Sequence, residues 1–85
     1  MITRILIVDD DRDARDAFEI ILTSQGYEVF SAKNGNEALN LLHHSAVDAV
    51  VSDIMMPEMD GFELCRQLKM DNKLNTIPFI FITAT

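Results

Sequence analysis

The sequence predicts an α/β fold, a doubly wound parallel sheet with helices on both faces. Three observations carry that prediction. Short apolar runs alternate with segments of helical period in the order β-α-β-α-β-α-β. The first run is continuous and rich in β-branched residues, as parallel strands buried on both faces are. The first and third runs both end on acids, at the rim where open sheets of this kind bind ligands. The same alternation predicts right-handed crossovers.

Each element has its own signal. "ILIV" (Ile5 to Val8) is the first strand. Ala14, Ala17, Phe18, Ile21 and Leu22 recur at helical spacing and predict an amphipathic first helix with that face inward. Gly26 follows the last periodic turn, where a left-handed residue ends a helix. "YEVFSA" (Tyr27 to Ala32) reads as the second strand. Asn34 offers an N-cap with Glu37 three residues on, and Ala38, Leu39 and Leu42 form the inner face of the second helix. The third strand is Ala49 to Ser52, ending at Asp53. "EMDGFELCRQLKM" predicts the third helix, with Leu64, Cys65 and Leu68 on its apolar face. Pro78 opens the fourth strand, Phe79 to Thr83.

The totals bound the function. The chain of 85 residues is one small domain, with 14 acids against 7 bases and a net charge of −7. That balance argues against direct contact with nucleic acid, whose phosphates would repel it. It favours cations and basic protein surfaces. Cys65 is the sole cysteine, so no internal disulfide forms, as in a reducing compartment. No stretch approaches the ~20 apolar residues that span a bilayer, and the expected location is cytoplasmic, away from membranes.

The acids are the informative feature. Asp9 and Asp10 end the first strand and Asp53 ends the third. If those strands are neighbours, about 4.8 Å apart, the three carboxylates converge. Like charges that close raise a pKa or demand a cation. Mg²⁺ fits, because it takes one or two carboxylates, several waters and a phosphate oxygen, whereas no His or Cys stands near to favour zinc. A carboxylate so placed can also accept a phosphoryl group as an acyl phosphate. Thr83, at the end of the fourth strand, would add a hydroxyl on the same rim.

"ILIVDDD", "VVSDIMMPEMDG" and "FIFITAT" together resemble the receiver domain of bacterial two-component response regulators, a flavodoxin-like fold. The resemblance runs through all 85 residues in order. It implies that Asp53 is the phosphoacceptor. Asp10 would be the more direct Mg²⁺ ligand, with Asp9 acting largely through water, and Met55 would offer its backbone carbonyl. Thr83 would be the switch hydroxyl. Pro57 and Gly61 would shape the loop, Pro by fixing φ and Gly by tolerating φ > 0. The implied phosphodonor is a histidine kinase or a phosphotransfer protein. The resemblance also implies a fourth helix, a fifth strand ending in a Lys, and a fifth helix. Lys33, Lys69 and Lys73 all precede Thr83 and match no such position. The reading is therefore a receiver, residues 1–85, cut off after its fourth strand. That strand would be an open edge, which predicts self-association.

Two other functions compete. In a haloacid-dehalogenase-like phosphatase an Asp nucleophile and a second acid also follow the first strand, and Asp9-x-Asp11 has that form. The position two beyond the second acid is Asp13, where that motif usually has Thr or Val. A phosphorylation-independent, protein-binding receiver is the other, and the intact acids oppose it. His43 and His44 are adjacent, so they do not share a helix face, and solvation at a helix C-terminus is the better reading. Cys65 is expected in the core, and Met56 and Met59 beneath the loop. Asp11, Asp13 and Asp16 are expected to form a solvated acidic face, and for Asp10 and Asp11, which follow a strand, a helix cap is the plain alternative.

Overall fold

The structure is a computed structural model and describes residues 1–82. Four strands, β1 (Arg4–Val8), β2 (Glu28–Ala32), β3 (Ala49–Asp53) and β4 (Phe79–Ile82), form one parallel sheet in the order β2-β1-β3-β4. Between them run α1 (Arg12–Ser24), α2 (Gly35–His44) and α3 (Gly61–Met70). The predicted fold class is the observed one. Strand order reverses between β1 and β3, and these two strands are direct neighbours, with Val8 opposite Ser52.

Packing explains the arrangement. Ile5, Leu6, Ile7 and Val8 are all buried, as a central strand covered on both faces requires. Leu6, Val8 and Val50 face a core built with Ala38 and Leu42 of α2 and Leu64 and Leu68 of α3. Ile5 and Ile7 alternate with them and turn to the opposite face, beside α1. Burying each of these large side chains contributes roughly 1.5–3 kcal/mol.

Side-chain caps set where the helices start. Asp11 Oδ1 accepts from the Asp13 N–H at 3.0 Å, Asn34 Oδ1 from Glu37 N–H at 2.8 Å, and Asp60 Oδ1 from Glu63 N–H at 2.9 Å. Each such cap is worth about 1 kcal/mol. The Glu37 carboxylate also accepts from the Lys33 N–H at 3.0 Å, close to the expected capping box. At the far end of α1, Gly26 stands at φ 93°. Its N–H donates to the Thr23 carbonyl and the Tyr27 N–H to the Leu22 carbonyl, the paired bonds of a Schellman ending.

Four expectations change. The third helix begins at Gly61 and not at Glu58, because Asp60 caps it and residues 57–59 form a turn. None of the residues of α1 is fully buried, and Ala17 and Ile21 are exposed. Among the described residues α1 covers its face of the sheet without a second helix beside it, so only part of its apolar stripe finds a neighbour. Cys65 is half-buried rather than in the core, since Leu64 and Leu68 take the inward positions of α3. The second strand begins at Glu28, one residue after Tyr27, which closes the turn from α1.

Candidate functional site

The carboxylates meet because two strands end side by side. Asp9 directly follows β1 and Asp53 is the last residue of β3. With Val8 opposite Ser52, the next positions bring both acids to the same rim, and Asp10 follows. One carboxylate oxygen from each of Asp9, Asp10 and Asp53 lies within 4.8 Å of the others. Asp9 is buried, Asp53 half-buried and Asp10 exposed, so the cluster opens to solvent on one side.

Asp9 is tightly held. Its N–H donates to the Ala32 carbonyl at 3.1 Å, which ties the loop to the end of β2. Its Oδ1 accepts from the Asp11 N–H at 2.9 Å. Burial pushes its carboxyl above the usual range, and the negative charges of Asp53, Asp10 and Asp11 push it further. The Asp11 hydrogen bond opposes that rise without cancelling it. A buried acid that resists ionisation beside two others is an arrangement a cation would relieve.

The donor set suits a hard divalent ion. All three groups offer carboxylate oxygen, the ligand type that Mg²⁺ prefers, so Asp9, Asp10 and Asp53 are the residues that would hold such an ion.

The loop after Asp53 is shaped from both sides. Met55 N–H reaches Asp53 Oδ1 at 3.3 Å, while the Met55 side chain stands 79% exposed. Met56 is buried in the core and Met59 packs against it, as expected. Pro57 O accepts from the Met59 N–H at 2.8 Å, spanning Glu58, whose φ is 68°. That is a γ-turn with a non-glycine residue in the left-handed region, which costs of order 1–3 kcal/mol. The positive φ thus falls on Glu58 and not on Gly61. Gly61 is needed for another reason. A Cβ there would collide with the backbone carbonyl of Asp53 and lie 3.0 Å from Ile54 Cα. Its N–H also donates to the Ile54 carbonyl at 2.9 Å, so α3 starts directly against the end of β3.

Other positions resolve simply. Thr83 lies outside the described residues. Asp11 is the N-cap of α1 and stands outside the carboxylate cluster, so Asp9-x-Asp11 is not a pair sharing one site. His43 and His44 end α2, with His44 Nδ1 2.7 Å from the Asn40 carbonyl and His43 Nε2 3.7 Å from Asp71. A surface hollow of about 360 Å³ is lined by Arg66, Gln67, Met70 and Asp71. It lies at the C-terminal end of α3, opposite the end that meets Asp53. Sequence reasoning missed Arg15, whose Nη1 donates to the Asp9 carbonyl at 2.8 Å. Its spacing, four residues after the Asp11 cap, was the available signal.

Comparison with known proteins agrees with this geometry. The family model for the response regulator receiver domain matches residues 5–85. The response regulator MprA of Mycobacterium sp. (strain KMS) is 45% identical over 84 residues, which are 99% of this chain and 36% of that protein. The chain thus spans about a third of the length of the curated relatives it matches. The N-terminal domain of a response regulator receiver protein from Methanoculleus marisnigri superposes with a TM-score of 0.96 at 36% identity, over all of this chain and 69% of the other. TrrA of Thermotoga maritima, a response regulator solved in complex with Mg²⁺–BeF, gives 0.91 at 34% identity over 99% of this chain and 71% of its own. With carboxylates gathered where β1 and β3 end side by side, and with these likenesses along its whole length, the chain belongs to the response regulator receiver domain family of two-component signalling.

Proposed function

We propose that this receiver domain is a phosphoacceptor whose acceptor is Asp53. The convergence of Asp9, Asp10 and Asp53 within 4.8 Å is the observation that carries the reading. A carboxylate oxygen of Asp53 would attack phosphorus in line, forming a P–O bond as the donor's P–N bond breaks. The donor's imidazole leaves and takes up a proton. The donor class is a phosphohistidine on a histidine kinase or phosphotransfer protein, and a basic surface on it would complement a chain of net charge −7.

Asp10 and Asp53, with the Met55 carbonyl and Asp9 through water, would hold Mg²⁺. Bound there, the ion would neutralise charge on the transferring group. The all-oxygen donor set supports this, and so does the complex in which the similar TrrA was solved. The remaining work belongs to the chain. Burial holds Asp9 in place, and Gly61 lets α3 abut the acceptor strand. Met56 and Met59 anchor the loop beneath the site. Asp53 pairs in register with Ile82, and Thr83 is next in sequence, which supports its role as the hydroxyl that senses the phosphoryl group. The domain is read as a regulatory module that promotes its own phosphorylation and dephosphorylation. It contacts no nucleic acid itself. No helix among the described residues is long and apolar enough to cross a membrane.

Intact mass after incubation with a small phosphodonor tests the proposal. One phosphoryl adduct that needs Mg²⁺ and is lost in Asp53→Asn is expected. No adduct on a chain shown to be folded would overturn it.

A further inference from the structure

The loop that carries Asp9 and Asp10 is pinned at three points. The Asp9 N–H is held by Ala32 and its carboxylate by the Asp11 N–H. The third pin is the only one made by another residue's side chain. Arg15, in the first turns of α1, sends Nη1 back to the Asp9 carbonyl at 2.8 Å, in a partly buried bond. Among the described residues the other arginines are engaged elsewhere, Arg4 with Glu28, Arg12 with Asp16 and Arg66 with Glu63.

We propose that Arg15 is a positioning residue for the carboxylate site, clamping the Asp9–Asp10 peptide so that the Asp10 carboxylate is aimed at a divalent cation. This rests on the reading above that the three carboxylates form a cation site. The peptide unit is planar, so holding the Asp9 oxygen fixes the plane that also contains the Asp10 nitrogen and Cα. Asp10 is exposed and belongs to no helix or strand, and this plane sets the direction of its side chain. A charged donor on a carbonyl is among the stronger hydrogen bonds. Among the described residues Arg15 forms no ion pair with a carboxylate, so it orders the loop without occupying the oxygens.

Positioning and electrostatics make opposite predictions. Removing a positive charge near an anionic site should tighten Mg²⁺ binding by Coulomb's law. Removing a clamp should weaken it, by about tenfold or more for an outer partner of a metal ligand. The test is calorimetric Mg²⁺ titration of the whole chain as wild type, Arg15→Ala, Arg15→Lys and Arg12→Ala, with circular dichroism as the folding check. Weakened binding in Arg15→Ala, partial recovery in Arg15→Lys, and equal or tighter binding in Arg12→Ala are expected. Equal or tighter binding in a folded Arg15→Ala would overturn the proposal while leaving the cation site intact. If Arg15→Ala does not fold, Arg15→Met keeps the packed stem without the donor and is judged by the same criterion. Absence of Mg²⁺ binding in the wild type would instead overturn the cation-site reading, and this proposal with it.

Discussion

Substituting Gly61 with alanine is expected to damage stability and phosphoryl uptake together. The new Cβ would meet three backbone atoms, the Asp53 carbonyl oxygen inside any ordinary contact, Ile54 Cα at 3.0 Å and the Asp53 carbonyl carbon at 3.2 Å. None of them can rotate away as a side chain would. Either α3 retreats or the last peptide of β3 moves, and that peptide carries Asp53, the proposed acceptor. Overpacking of this kind costs about 1–3 kcal/mol. Alanine's better helix propensity offsets at most about 1 kcal/mol. A domain of this length has a total stability of only about 4–13 kcal/mol. Urea unfolding should therefore show a midpoint lower by roughly 0.5–2 M. Phosphoryl uptake per folded molecule should fall as well. Gly35→Ala is the comparison, because its Cβ would meet only the Met59 side chain, Sδ at 2.5 Å, Cγ at 2.8 Å and Cβ at 3.0 Å, and a flexible side chain can shift where backbone cannot. Its loss should be the smaller of the two. A Gly61→Ala protein with an unchanged midpoint and full uptake would refute the claim that α3 abuts the acceptor strand.

Two further outcomes are expected. Asp9 has a raised pKa in the folded state, chiefly through burial. Its favourable contribution is therefore present below the unfolded value of about 3.9 and lost as pH rises through the folded value. Without Mg²⁺, Asp9→Asn should be more stable than wild type at neutral pH, with the gap closing below about pH 4. Thermal melts in chelator across that range check this, and a less stable Asn variant at neutral pH would contradict it. Gly26→Ala should cost about 1 kcal/mol, because φ 93° disfavours an L side chain although nothing lies within 4 Å of the added Cβ. Its Mg²⁺ affinity should be unchanged, as calorimetry would show.

The central strands were legible because burial on both faces leaves no polar residue in "ILIV". The acid cluster was legible because parallel strands present their carboxyl ends on one rim. Helix caps at Asn34 and Gly26 could be read because each rests on a local hydrogen-bond pattern. What escaped the sequence was tertiary. Ala17 and Ile21 share a face with Phe18 and Leu22, and periodicity cannot say that the face is only partly covered. Gly61 looked like a turn residue needing positive φ, but it is a point of close approach, and the positive φ belongs to Glu58. Cys65 borders the stripe of Leu64 and Leu68 and drifts outward by one helical position. Arg15 reads as one charge among many until the fold brings its guanidinium back to β1.

The most direct test of the account is to locate the phosphoryl group. After incubation with a small phosphodonor and Mg²⁺, borohydride reduction converts an aspartyl phosphate to homoserine, and peptide mapping finds the altered residue. The account predicts homoserine at position 53 alone, dependent on Mg²⁺ and absent when Asp10 is replaced by Asn. Modification at Asp9 or Asp10 with Asp53 untouched, or none in a folded chain that binds Mg²⁺, would contradict it.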